Sequence, residues 1–164
     1  MQSSEEEILI VVDEQDNILD YLPRSEVHKR KLLHRTISVV VFTSKNELVI
    51  QIRGLHKDTY PGMYSNAAGG HVVKGQSYEE AAEQEALEEI GLKEPLIFVT
   101  KKILEDPKHR TMTSIFKANN NGPFKKKLGE VEDVIKVPLS DIPNMIDKFY
   151  PATKQIMKVM GILK

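Results

Sequence analysis

Apolar residues alternate with polar ones early in the chain and fall at helical spacing only in its middle and at its end. "EILIVVDEQDNILDYL" reads as two short strands around an Asp-Asn turn, and "RTISVVVFTSKNELVIQIR" as a longer hairpin turning at residues 44–46. The second pair is rich in valine and isoleucine, which places it centrally in a sheet. "PLIFVTKKILED" and "RTMTSIFKANN" form a further strand pair, "EDVIKVPL" one more strand, and "SDIPNMIDKF" and "PATKQIMKVMGILK" two short amphipathic helices. Several strands follow one another with no crossover helix between them. The pattern therefore predicts an α/β (α+β) chain with a mixed or antiparallel sheet. With 164 residues, 40% of them hydrophobic, and no repeat or Gly/Pro-rich linker, residues 1–164 read as a single domain in which 1–33 supply N-terminal strands and a lead-in.

The helix in the middle is unusual in charge. Between Glu79 and Glu89 there are six glutamates and no lysine or arginine. Ser77 and Glu80 make a capping box and Gly91 a C-terminal stop, so residues 78–90 form one helix. At about 100° per residue, Glu85, Glu88 and Glu89 share one face while Leu87 and Ile90 point to the opposite side. These acids sit in the last turns, where the helix dipole disfavours anions, and Glu85 and Glu89 are a like-charge i,i+4 pair. Two readings remain open: a solvated acidic face bearing a modest cost, or a divalent cation that offsets the repulsion through hard oxygen ligands.

Composition narrows the partners. A net charge of −1 from 23 basic and 24 acidic side chains gives no electrostatic footprint for nucleic acid or anionic lipid. The lack of cysteine excludes disulfides, thiolate metal sites and cysteine nucleophiles, and is in keeping with a reducing cytoplasm. The start "MQSSEEEILIVVDE" is acidic where a secretory leader is basic, and no apolar run approaches the ~20 residues that span a bilayer. A small molecule is the expected ligand and the cytoplasm the expected location.

Residues 69–92, "GGHVVKGQSYEEAAEQEALEEIGL", resemble the Nudix box, G-x5-E-x7-R-E-U-x-E-E-x-G-U with U bulky and apolar. Gly70, Glu85, Glu88, Glu89, Gly91 and Leu92 are in register, and Ala86 is a small stand-in for the first U. Gln76 replaces the first glutamate and Gln84 the arginine, a double change that leaves hydrogen bonding without an orphan charge. "HRTISVVVF", "YPGMYSNAAGGHV" and "GEVEDVIKVPLSDI" are similar to the Nudix branch that resembles isopentenyl-diphosphate isomerase. The resemblance implies an α/β/α sandwich around a mixed sheet and a hydrolase acting on a diphosphate linkage, in a nucleoside diphosphate derivative or related molecule. It implies Glu85, Glu88 and Glu89 as ligands of Mg²⁺, or of Mn²⁺, with Glu85, Glu88 and Glu130 catalytic and Glu132 the second choice to Glu130. It implies Arg53 and Lys57 as phosphate ligands, and makes a homodimer unsurprising.

His28, His34 and His71 resemble metal-site histidines of the isomerase, although the first spacing is one residue short. The isomerase cysteine is Gly69 here and the acids of its later strand are missing from "HRTMTSIF", so proton transfer at carbon lacks its groups. A hydrolase is the first expectation, and a non-catalytic diphosphate-binding domain, suggested by Gln76 and Gln84, is the second.

Overall fold

The computed structural model describes residues 6–164; residues 1–5, on which part of the leader argument rests, lie outside them. β1 (Ile8–Val12) and β2 (Ile18–Pro23) pair antiparallel. The turn between them falls where expected and is closed by Asp13, whose Oδ1 accepts the backbone N–H groups of Gln15 and Asn17 at 2.9 Å each. A short helix α1 (Arg24–Lys29), for which the apolar pattern carried no signal, leads to β3 (His34–Phe42).

β3 and β4 (Glu47–Arg53) are the expected pair of central strands, but they do not form a long hairpin. Their ladder is limited to Phe42 and Leu48, after which they diverge. β3 instead pairs in parallel with β8 (Arg110–Asn119) along its length, and antiparallel with β6 (Ala68–His71) on its other edge. β4 takes β5 (Tyr64–Asn66) and β9 (Val131–Pro138). The reason is that both strands are apolar on both faces: Val39, Val40, Val41, Leu48, Val49 and Ile50 are all inaccessible to solvent. Strands of that kind are stable only inside a sheet that is covered twice. β7 (Ile97–Glu105) pairs with β8, which completes a mixed sheet of nine strands among the described residues.

Alternation then divides the core in two. Ile37, Val39, Val41 and Val49 face α2 (Tyr78–Ile90), which meets them with Ala81, Ala82, Ala86 and Ile90. Val40, Leu48, Ile50 and Ile115 face the opposite layer, made of Ile142, Phe149, Ile156 and Met157. That layer holds α3 (Pro151–Val159) and a 3-10 helix (Leu139–Lys148) where an α-helix was expected; Pro143 inside it has no N–H to donate to an α-helical ladder. The result is the expected α/β/α sandwich.

α2 forms where the sequence puts it. Ser77 Oγ accepts the N–H of Glu80 at 3.1 Å while the Glu80 carboxylate accepts the N–H of Ser77 at 3.0 Å. Gly91 ends the helix in the left-handed region at φ 69°, which a side chain would strain. Ile90 is buried, but Leu87 is left largely exposed because the alanine stripe, not the whole opposite side, meets the sheet.

Because Ile50 lies at the centre of β4 with no exposure, Ile50→Ala should cost about 2–5 kcal/mol in urea unfolding. Leu19→Ala, at an exposed position on β2, should stay within about 0.5 kcal/mol.

Candidate functional site

A cleft of about 830 Å³ opens between the end of α2, the β6 strand, the start of β3 and the loops at 54–63, 106–109 and 127–130. Its floor depends on a close approach. β6 offers Gly69 and Gly70 to α2, and a Cβ added at Gly70 would stand 2.8 Å from Glu85 Cδ. Glycine is what lets the Glu85 carboxylate lie against the strand.

Glu89 is only 7% exposed. Its Oε1 accepts the Gln51 amide at 2.8 Å, and its Oε2 faces the Gly69 N–H at 3.4 Å. Burial, a hydrogen bond to Glu89 and the neighbouring negative charges push the Glu85 carboxyl up to about 9. Glu89 is also raised by burial, against the hydrogen bonds from Glu85 and Gln51. The pair therefore holds a proton at neutral pH. A solvated acidic face does not describe this geometry, since water is largely excluded from Glu89.

Glu88 is reached through the two glutamines. Gln76 Oε1 accepts the Val73 N–H at 3.1 Å, Gln76 Nε2 donates to Gln84 Oε1 at 2.7 Å, and Gln84 Nε2 donates to Glu88 Oε1 at 3.0 Å. This neutral relay ties the loop before α2 to the third carboxylate.

Basic residues ring the acids. Lys57 lines the cleft, and its charge acts on Glu89. Arg53 also lines it, but Nε and Nη2 donate to the Thr59 carbonyl at 3.2 and 2.9 Å and the guanidinium lies over the Tyr150 ring at 5.3 Å, leaving Nη1 outside these contacts. Glu130 lines the cleft and is paired with Lys127 at 3.3 Å. Glu132 is exposed on β9 and is not among the described lining residues.

The histidines come together although they are far apart in sequence. His28 from α1, His34 at the start of β3 and His71 at the end of β6 place ligand nitrogens within 4.8 Å of one another. His34 Nδ1 sits 2.8 Å from the Leu32 carbonyl, and His71 Nδ1 is 3.0 Å from Glu7 Oε1. His109, from the β7–β8 hairpin, brings its ring to 5.0 Å from that of His28. Burial and the neighbouring imidazoles hold His28 down at about 4, and burial holds His34 at about 3, so both are neutral at pH 7. Across from them β8 presents Thr111 and Thr113, not carboxylates.

Sequence reasoning missed Gln51, Glu7, His109, Asp106 and Lys127. Each meets the cleft from a strand or loop remote from the box, and no local spacing marks it.

Residues 32–160 match the NUDIX domain. The chain belongs to the Nudix family. A Nudix relative from Pseudomonas aeruginosa, the uncharacterized Nudix hydrolase PA4841, is 33% identical over 132 residues, covering 80% of this chain and 78% of its own. The uncharacterized Nudix hydrolase YfcD of Escherichia coli is 29% identical over 142 residues, 86% and 79% of the two chains. Isopentenyl-diphosphate Delta-isomerase 2 of Photorhabdus laumondii matches less of the chain, at 35% over 91 residues, 56% of this chain and 51% of that protein. Among solved structures, DR0079 from Deinococcus radiodurans shares this fold at a TM-score of 0.77 with 18% identity, covering 93% and 96% of the two chains. The NUDIX domain of Shewanella oneidensis NrtR, complexed with ADP ribose, superposes at 0.63 with 18% identity, covering 84% and 96%. No helix among the described residues is long and apolar enough to cross a membrane.

The carboxyl pair makes chelated protein sensitive to alkali. With Glu85 raised, the folded state binds more protons than the unfolded chain between the ordinary glutamate range and about 9, so stability falls as pH rises through that window. His28 and His34, lowered in the fold, make stability rise with pH, but only below about 6.5. Of these three groups, Glu85 alone acts between about pH 7 and 9. Thermal melts in EDTA should show the parent losing stability over that range and Glu85→Gln losing clearly less. Parallel curves would remove the shared proton.

Proposed function

We propose that the protein is a divalent-metal-dependent hydrolase that cleaves a diphosphate linkage in a nucleoside diphosphate derivative or related small molecule. The observation that carries the reading is the geometry of the Glu85–Glu89 pair, with Glu89 buried, Glu85 half-buried against Gly70 and Glu88 beside them on the same helix face. With both groups ionised, such a pair is costly unless a cation lies between them. Oxygen-only donors suit Mg²⁺, and Mn²⁺ as its substitute. Glu85, Glu88 and Glu89 would hold the ion, which when bound neutralises charge on the diphosphate oxygens and acidifies a water.

The chain's own groups do the remainder. Gln51 and the Gly69 N–H fix Glu89, and the Gln76–Gln84 relay fixes Glu88, so the donors are oriented before any ligand arrives. Lys57 holds phosphate oxygens, joined by Lys127, whose charge interacts with both Glu85 and Glu88. Arg53 braces the 54–63 loop through Thr59 and reaches phosphate with Nη1. In the hydrolysis, a water oxygen bonds to phosphorus and the bridging P–O bond breaks with its electron pair on the leaving phosphate. The water proton passes to Glu130, or to Glu85 or Glu88 of the box. The ADP ribose held by the NrtR domain supports a nucleoside diphosphate derivative as the ligand class.

A second reading is favoured by Gln76 and Gln84: a domain that binds diphosphates without turning them over.

Mass-resolved screening of a diphosphate panel with Mg²⁺ or Mn²⁺ should reveal release of phosphate or nucleotide. Glu89→Gln should lower turnover by on the order of a hundredfold or more. Mg²⁺ at one hundred times Kd should stabilise the parent by about 2.7 kcal/mol and the variant by less. Binding with no turnover across the panel would decide for the second reading. Equal Mg²⁺ shifts in parent and variant would remove the metal assignment.

A further inference from the structure

We propose that Thr36, Ser38, Thr111 and Thr113, with Asn66 at the end nearest the acids, form a hydroxyl row that selects a polyhydroxylated aliphatic group, of the sugar or polyol class, as the group esterified to the diphosphate. This rests on the hydrolase reading, in which the acids of α2 mark the place of the phosphates, and it names what lies beyond them.

The first support is where the polar positions fall. Side chains alternate across a strand, and Val40 of β3 faces the α3 layer, so Ser38 and Thr36 face it too. On β8, Ile115 faces the same layer, and Thr113 and Thr111 follow it on that side. The parallel ladder sets Thr36 opposite Thr113. Both strands thus change from apolar to hydroxyl-bearing side chains at one level of the sheet, and all four side chains line the cleft. The threonines bond to one another, Thr36 Oγ1 to Thr113 Oγ1 at 2.8 Å and Thr111 Oγ1 to Thr113 Oγ1 at 2.9 Å. Two bonds use two of the three hydroxyl hydrogens, which leaves one hydrogen and the outer lone pairs to a ligand. Thr36 and Thr111, the ends of this chain, are its half-buried members. Asn66, only 3% exposed, donates from Nδ2 to Ser38 Oγ at 3.2 Å, and its Oδ1 has no hydrogen-bond partner among the described residues. A buried acceptor left without a donor is costly, and a small turn of the amide would bring it to an incoming hydroxyl.

The second support is what surrounds the row. It starts beside the acids. Ser38 pairs with Gly69, whose N–H faces Glu89 Oε2, and the Gln51 amide that holds Glu89 also donates to the carbonyl of Ala67, the residue after Asn66. Leu104, Ala152 and Ile156 line the same cleft. An aliphatic polyol has C–H faces for these side chains and O–H groups for the threonines. An alkyl chain would cover the hydroxyls and Asn66 without bonding them, which forfeits their water for nothing. A planar base finds little to stack on, since the rings of Tyr60 and Tyr150 are stacked on each other at 5.5 Å, with Lys108 over the first and Arg53 over the second.

The test uses the full chain with Mg²⁺ and two probes that share their phosphates and chain length, the diphosphate monoesters of ribitol and of pentan-1-ol. Calorimetry reads binding, and phosphate release reads turnover. The ribitol ester should bind at least about tenfold more tightly than the pentyl ester, because a site built to bond hydroxyls rejects the analogue that lacks them. Thr36→Val and Thr111→Val, changes of similar shape, should each narrow that ratio by roughly three- to tenfold, while Thr36→Ser should keep it. A merely structural role would shift both probes alike. The preference seen in binding with no phosphate released would uphold the hydroxyl row and remove the hydrolase reading. Phosphate released from both esters, bound with equal affinity, would overturn the row and leave the hydrolase reading standing. No binding of the ribitol ester, or the same ratio in the parent and both valine variants, would also overturn it.

Discussion

The arrangement everything else accommodates is the contact of two carboxyl groups with a glycine strand. Glu85 and Glu89 lie at the closing turns of α2, where the helix end is negative, they are close enough to share a proton, and Glu89 is almost out of water. Each of these terms is unfavourable alone. The fold meets them with specific provisions: a Ser77 cap and Gly91 terminus that set the rotation of α2, alanines at 81, 82 and 86 that let the helix sit low on the sheet, no Cβ at Gly70, and the Gln51 amide delivered from β4 to Glu89. Larger residues at the alanines would lift the helix and separate the acids from their donors.

β3 links that contact to the imidazole cluster. Its edge pairs with β6, whose Gly69 and Gly70 meet α2 and whose His71 joins His34 at the beginning of β3. The acids of α2 and the imidazoles thus meet at one short strand, with Glu7 beside His71 and its charge also felt at Glu85. Acidic and imidazole side chains share a single wall.

Legibility in the sequence followed the range of the interactions. The α2 helix, its cap and its stop are local, and residues 77–91 carry them in their own order. The double apolar character of β3 and β4 showed that they are central, and the strand count with the resemblance led to the layered architecture. The short ladder between β3 and β4 was not legible, because what separates them is competition from β8 and β9, partners set by tertiary packing. The same holds at the site. The spacing of Glu85, Glu88 and Glu89 is written in one helix, whereas Gln51, Lys127 and His109 arrive by topology. Arg53 was recognisable as a cation near the cleft, but its hold on Thr59 depends on how the 54–63 loop folds back.

The parallel pairing of β3 with β8 also bears on how the molecule assembles in time. His34 meets Thr111 and Phe42 meets Asn119, so this ladder closes a loop of chain that contains β4, β5, β6, α2 and β7. Closing so long a loop has an entropic cost before any contact compensates it, and chains dominated by such distant pairings fold slowly. The cleft draws its walls from β3, β8 and the chain between them, so it is complete only once that ladder has closed.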